Sequence, residues 1–258
     1  MQQSVDYIVV GGGSSGCALA GRLSESPDIS VLLLEAGGKG DNWLVNTPAA
    51  VVLQVPKKIN NWAFETVPQP GLGGRKGYQP RGKVLGGSSS INAMAYIRGH
   101  RMDYDEWASL GNSGWSYDEV LPYFKRAEDN RRLKDVFHGQ GGPLVVSDLQ
   151  TDNPFQQHYL DAAKQVGYPI STDFNGAEQE GVGLYQVTQE NGERWSAYRG
   201  YIKPHLDTRR NLHVETDALT QRILFEGKRA VGVEYRQRGR VMTVRANKEV
   251  ILSAGAFQ

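Results

Sequence analysis

Apolar residues follow two different periods along this chain. Val5–Val10 is a continuous β-branched run halted by glycine, the pattern of a parallel strand buried on both faces. Ser14–Ser24 switches to helical spacing, with Leu19 and Leu23 one turn apart and Ala20 as a small packing residue. Ile29–Leu34 returns to the strand pattern, so the segment up to Gly40 predicts strand–helix–strand. Residues 41–80 carry Pro48, Pro56, Pro68, Pro70 and Pro80, which exclude long regular elements and predict loops. Residues 103–130 predict helix, with a capped start at Ser116. Phe155–Val166 has helical spacing, and Gly181–Thr188 alternates like a strand. Ala218–Phe225, Ala230–Tyr235 and Arg240–Arg245 are separated by the turn-forming stretches Glu226-Gly227-Lys228 and Gln237-Arg238-Gly239, which predicts a β-meander. Glu249–Leu252 is a fourth apolar run, followed by Ser253-Ala254-Gly255-Ala256.

Composition narrows the classes. The 258 residues are 39% hydrophobic and 22% charged, which fits a packed core and excludes global disorder. Lysine plus arginine is 29 against 28 for aspartate plus glutamate, leaving no electrostatic footprint for nucleic acid. Cys17 is the single cysteine, so no internal disulfide forms. Val5–Val10 is too short for a signal peptide, and no run of roughly 18 apolar residues is present. These features predict a cytoplasmic location, in solution or at the periphery of a membrane. His100, His138, His158, His205 and His213 show no metal-ligand spacing, so no metal site is expected and each reads as a surface or packing histidine.

Glycine carries the chemistry. Gly11, Gly13 and Gly16 form G-x-G-x-x-G between a strand and a helix. The first glycine permits the tight turn, the second lets a pyrophosphate approach the backbone, and the third lets helix and strand pack closely. Backbone N–H groups and the helix dipole then face negative phosphates, with Ser14 and Ser15 opening the helix. Glu35 ends the second strand 19 residues after Gly16, followed by Ala36. An acid there binds ribose hydroxyls and repels a 2′-phosphate, which excludes NADP but leaves NAD and FAD open.

The stretch from Gly82 to Gly99, Gly-Lys-Val-Leu-Gly-Gly-Ser-Ser-Ser-Ile-Asn-Ala-Met-Ala-Tyr-Ile-Arg-Gly, is a glycine pair, three hydroxyls and a run of small residues. Such a backbone can lie against a flat ring and present N–H groups to it. The stretch closely resembles the first signature of the glucose–methanol–choline oxidoreductases. The resemblance extends through Asn61-Trp62-Ala63-Phe64-Glu65-Thr66, Gly77-Tyr78-Gln79-Pro80-Arg81-Gly82, Tyr104-Asp105-Glu106-Trp107 and Gly192-Glu193-Arg194-Trp195-Ser196-Ala197, which look like the bacterial choline-dehydrogenase-like branch.

That resemblance implies an α/β fold: a Rossmann-like FAD-binding domain with a β-meander, plus part of an α+β substrate-binding domain. Residues 1–40, 80–100 and 205–258 would form the discontinuous FAD-binding domain. Residues 41–79 and 101–204 would form a loop or cap region and the partial substrate domain. It implies extended FAD, with adenosine on the Gly11–Glu35 unit and flavin against Val84, Gly87, Ser88, Asn92, Ala93, Met94 and Ala95. Thr220 stands where the family usually has valine and would meet the adenine through its backbone. Ala254 and Gly255 resemble the strand end that returns to the nucleotide. Ile91 occupies the position at which some relatives carry a flavin-linking histidine, so non-covalent attachment is implied.

The implied reaction is oxidation of a primary alcohol, choline-like, aliphatic or aromatic, to an aldehyde, by hydride transfer to flavin N5. Oxygen or a quinone-type acceptor would take the electrons. The sequence ends inside the family's second signature, so the proton-accepting histidine pair is expected beyond it, in a C-terminal half present as a separate chain or missing. No catalytic residue is expected within these residues, and the stretch alone should be inactive. A truncated, non-catalytic FAD-binding product and an NAD-dependent dehydrogenase are the rival readings.

Overall fold

A computed structural model describes residues 4–257. By contact the chain divides into two units. One runs through Ala93 and resumes at Glu193, and the other is Met94–Gly192. Residues 41–79, grouped above with the second unit, therefore pack with the first. A bridge of Asn61 to Gly82 fastens that stretch down.

The first unit is built on a six-stranded sheet. β1 (Ser4–Val10) lies between β2 (Val31–Leu34) and the long strand Arg240–Leu252. Leu212–Glu215 pairs parallel to the far side of β2, and Arg229–Gln237 and Ala218–Glu226 complete the other edge antiparallel. The register sets Val10 level with Leu34 and Leu252, so these strand ends share one edge of the sheet.

Continuous apolar runs are required here because both faces are covered. Val9, Val31 and Leu33 face α1 (Ser14–Leu23) with Cys17 and Ala20, whereas Ile8, Val10, Leu32 and Leu34 face Val233, Tyr235 and Val244. A bulge between Val5 and Tyr7 shifts the alternation, which puts Val5 on the same face as Ile8 and Val10. Each such fully buried aliphatic contributes about 1.5–3 kcal/mol. Ala20 is buried and Leu23 packs against the core as the helical pattern predicts. Leu19 does not: it is 37% exposed.

The predicted meander is present, with one correction. Arg240–Arg245 and Glu249–Leu252 belong to a single 13-residue strand. Its first half pairs antiparallel with Arg229–Gln237, and its second half pairs parallel with β1.

The second unit holds a four-stranded sheet, in the order Ala95–Tyr96, Gln186–Val187, Leu144–Asp148, Glu128–Asn130. The expected helix over 103–130 is two helices, Arg101–Ser109 and Tyr117–Ala127, then a strand. Gly111 (φ 97°) and Gly114 (φ 87°) turn the chain between them, a conformation glycine adopts without a steric penalty. Ser116 does cap the second helix: the Glu119 carboxylate accepts its N–H and its hydroxyl at 3.1 and 2.6 Å. The Pro154–Gln165 helix matches the Phe155–Val166 pattern to within a residue. Of Gly181–Thr188 only Gln186–Val187 is strand, because Gly181 takes a φ of 146° and bends the backbone.

Candidate cofactor-binding site

A cavity of about 810 Å³ opens at the carboxyl ends of the parallel strands, with Val10, Leu34 and Leu252 on its wall. In open α/β sheets ligands bind outside these ends. The chain leaves β1 through Gly11, whose N–H donates to the Leu34 carbonyl at 2.8 Å. Gly11 has a φ of 98°, and a Cβ there would lie 2.6 Å from the Ser253 carbonyl oxygen. A Cβ on Gly16 would overlap the Gly11 carbonyl oxygen. Internal packing thus demands both glycines.

Gly13 is different. Its φ is an ordinary −76°, and the nearest atoms to a Cβ there are 4.0 Å away. Among the described residues nothing requires glycine at this position, yet it lines the cavity beside Ser14 and Ser15. A residue kept bare against open space is what close approach of a bound group needs. No side chain caps α1 here and its first turn holds no acid, so the positive helix end faces the cavity unopposed.

Glu35 is 5% exposed and sits on the cavity wall with Ala36. Its carboxylate accepts the N–H of Gly12 at 2.9 Å and of Gly37 at 2.8 Å. Burial pushes its pKa up to about 7, against the opposing pull of these two N–H groups. A carboxylate has roughly four lone-pair sites, so two remain for hydroxyls.

The second glycine motif packs directly on the first. Gly86 donates its N–H to the Gly12 carbonyl at 2.7 Å, and a Cβ on Gly87 would lie 2.6 Å from Gly13 Cα. A short 3₁₀ turn, Gly87–Ser90, follows. Ser89 and Ser90 hydroxyls donate to the Gly86 and Leu85 carbonyls at 2.6 and 2.7 Å, so they fix the turn. Gly87 and Ser88 line the large cavity. Asn92 and Ala93 line a second cavity of about 680 Å³ with Val51, Val55, Pro56 and Ile91, and Arg81 and Ser88 border both cavities. Val84 is fully buried and lines neither, and Met94 and Ala95 belong to the second unit.

Thr220, Ala254 and Gly255 also line the large cavity. The Thr220 hydroxyl is buried and has no hydrogen-bond partner among the described residues. Sequence reasoning assigned no role to the aromatic residues of the cavity wall. There Trp62 stacks on Phe64 at 5.8 Å, Phe64 meets Phe257 edge-on, and the Arg81 guanidinium lies 4.4 Å from the Phe257 ring centre. The signal was present in the aromatic pair Trp62-x-Phe64, but its partner Phe257 is remote in sequence. Arg194 was equally unmarked: it lies buried under the Ser89–Asn92 turn.

These features fit an elongated dinucleotide: a phosphate cradle, an acid for ribose, an unpartnered hydroxyl, and two cavities that share Arg81 and Ser88 on their walls. Comparison with known proteins decides which kind. The family model for GMC (glucose–methanol–choline) oxidoreductases matches residues 5–258. This chain belongs to the GMC oxidoreductase family. GMC oxidoreductases are FAD flavoproteins. Human mitochondrial choline dehydrogenase is 48% identical over 258 residues, which are 97% of this chain and 43% of the human protein. The alcohol dehydrogenase [acceptor] of Pseudomonas putida is 47% identical over 97% of this chain and 46% of its own. Among solved structures, pyridoxine 4-oxidase from Mesorbium loti superposes with a TM-score of 0.93 at 34% identity, over 98% of this chain and 50% of that one. An FAD-dependent oxidoreductase from Chaetomium thermophilum gives 0.89 at 32%, over 98% and 46%. The GMC chain described here spans less than half the length of the curated relatives it matches.

In the second unit, His100 follows the flavin motif in sequence but is occupied as a helix cap. Its Nδ1 accepts the Met102 N–H at 3.2 Å, and its own N–H donates to Asp103 at 2.8 Å. Asp135, His138 and Asp173 bring ligand atoms within 4.8 Å of one another, a grouping invisible to linear spacing. His138 is wholly buried with carboxylates at both ring nitrogens, Glu128 and Asp173, each at 3.0 Å. That is the environment of an imidazolium. Among the described residues no helix is long and apolar enough to cross a membrane.

Proposed function

We propose that this chain is the cofactor-binding portion of an FAD-dependent dehydrogenase or oxidase acting on a primary alcohol, choline-like, aliphatic or aromatic. The observation that carries the reading is Gly13: bare, unstrained, and facing open cavity at an uncapped helix end. The choline and alcohol dehydrogenases among its relatives supply the substrate class.

The residues divide the labour. Gly13, Ser14 and Ser15 would hold the pyrophosphate through backbone N–H groups and the α1 dipole. Glu35 would accept the ribose hydroxyls, Thr220 and Ala254 would border the adenine, and Ser88, Asn92 and Ala93 would bound the flavin. FAD, when bound, would supply the two-electron acceptor for oxidation of the alcohol. Ile91 is 3% exposed and carries no nucleophile, which supports non-covalent attachment. Among the described residues no histidine lines either cavity. The family resemblance puts the proton-accepting histidine pair in the portion of the relatives beyond the matched half. A positioned general base contributes ~10²–10⁴-fold, so this portion binds and orients while the base comes from elsewhere.

The test is to purify the protein, titrate it with FAD and follow flavin absorbance, then assay dye or oxygen reduction on an alcohol panel that includes choline. Bound FAD and alcohol-dependent turnover with the remaining half present are the expected results. Bound NAD, identified by mass spectrometry, would overturn the reading.

A further inference from the structure

Arg194 is 1% exposed and heads the largest fully buried side chains. Its Nε donates to the Val45 carbonyl at 3.0 Å. Its Nη1 is shared among the Ser89 carbonyl at 3.1 Å, the Asn92 carbonyl at 2.8 Å and the Asn92 Oδ1 at 2.9 Å. Among the described residues its Nη2 has no partner. Every partner is a neutral oxygen. Burial pushes the guanidinium down to about 10, with no carboxylate to hold it up.

A buried charge without a counter-ion is costly and is retained only where something offsets it. Three of the four hydrogen bonds go to the turn between Ser89 and Asn92. Asn92 in turn lines the smaller, largely apolar cavity. In a low-polarity setting a nearby anion gains far more from such a cation than it would in water.

We propose that Arg194 is a positioning residue for the cofactor: it fixes the Ser89–Asn92 turn and holds an uncompensated positive charge behind it, favouring the reduced flavin over the oxidised one. This rests on the FAD reading above. The ring of oxidised FAD is neutral, and uptake of two electrons and one proton makes it an anion. The cation therefore strengthens binding of the reduced form selectively and raises the midpoint potential.

The experiment uses FAD-loaded protein, wild type, Arg194→Met and Arg194→Lys, reduced with dithionite against a reference dye, alongside FAD titrations of the apoproteins. Arg194→Met removes the charge while keeping length. Its reduced-to-oxidised affinity ratio should fall about tenfold, a lowering of ~30 mV for a two-electron couple. Arg194→Lys should keep the potential within that shift of wild type but bind FAD about tenfold more weakly, because an ammonium cannot satisfy Val45, Ser89 and Asn92 together. An Arg194→Met potential equal to wild type overturns the proposal. Should Arg194→Met yield no flavin-bound protein, Arg194→Lys decides: wild-type FAD affinity there overturns it equally. Wild-type protein that takes up no FAD overturns the functional reading and this inference together, whereas FAD-binding wild type with unchanged variants sinks this inference alone.

Discussion

Glu35 holds Gly12 across 23 residues of sequence, its Oε2 accepting the Gly12 N–H at 2.9 Å. The acid is therefore both a brace for the glycine turn and a wall of the cavity. A hydrogen bond to a charged group contributes about 1.5–3 kcal/mol, so Glu35→Ala should weaken FAD binding ~10- to 100-fold. Unchanged affinity in a flavin titration would reject its ribose role.

The same carboxyl makes binding depend on pH. Its folded pKa, about 7, lies above the ordinary glutamate value because it is buried. Protonation therefore favours the apoprotein fold: that contribution is full below about pH 4.5 and is lost as pH rises through about 7. FAD binding runs the other way, since ribose hydroxyls donate best to the ionised form. Affinity should rise between pH 6 and pH 8 in wild type and stay flat in Glu35→Gln, as read by fluorescence titration at each pH.

Gly13 and Gly16 should separate binding from folding. Gly13→Ala has room for its methyl at an unstrained φ, so melting should move by less than about 0.5 kcal/mol equivalent while FAD binding weakens at least tenfold. Gly16→Ala would drive a methyl into the Gly11 carbonyl and should destabilise the fold by about 1–3 kcal/mol. Thermal melts without cofactor, paired with flavin titrations, check both.

His138 should give the second unit a pH-dependent stability. Burial alone would lower its pKa, but hydrogen bonds to Glu128 and Asp173 outweigh that and raise it. The contribution is full below the unfolded value near 6.5 and is lost as pH rises through the raised folded value. Glu128 is also paired with Arg98 at 2.7 Å and accepts Gly139 N–H at 2.8 Å, with Asn130 alongside. Breaking such a buried network costs about 3–5 kcal/mol. His138→Ala should lower stability by that order at pH 6 and flatten the alkaline loss, measured by melts from pH 5 to pH 9.

Flavin should leave the protein intact. Acid precipitation of FAD-loaded protein should release yellow supernatant, because Ile91 offers no atom for a covalent bond. Colour in the pellet with a flavin-modified peptide would refute this.

The sequence made legible what is local. The Val5–Val10 run, the glycine turn and the capped helix at Ser116 each carry their cause within a few residues. Leu212–Glu215 was missed because four residues containing His213 and Glu215 show no period; pairing with β2 makes them a strand. The break in 103–130 is marked in the sequence by Gly111 and Gly114. Leu19 shares its helical period with Leu23, but it lies on the cavity wall rather than in the core. Arg194 carries no local mark of burial, since the oxygens that hold it come from Val45, Ser89 and Asn92.

The 13-residue strand has a kinetic consequence. Its antiparallel half meets a neighbour a few residues away, whereas its parallel half must find β1, with Ser4 beside Arg245, roughly 240 residues distant in sequence. Such non-local closure is slow, because chain entropy is lost before contacts compensate. The turn at Gly11 leans on Ser253, so the glycine turn cannot be completed until Arg240–Leu252 docks. During synthesis the strand–turn–helix of Ser4–Leu23 waits, unfinished, until Ser253 has emerged.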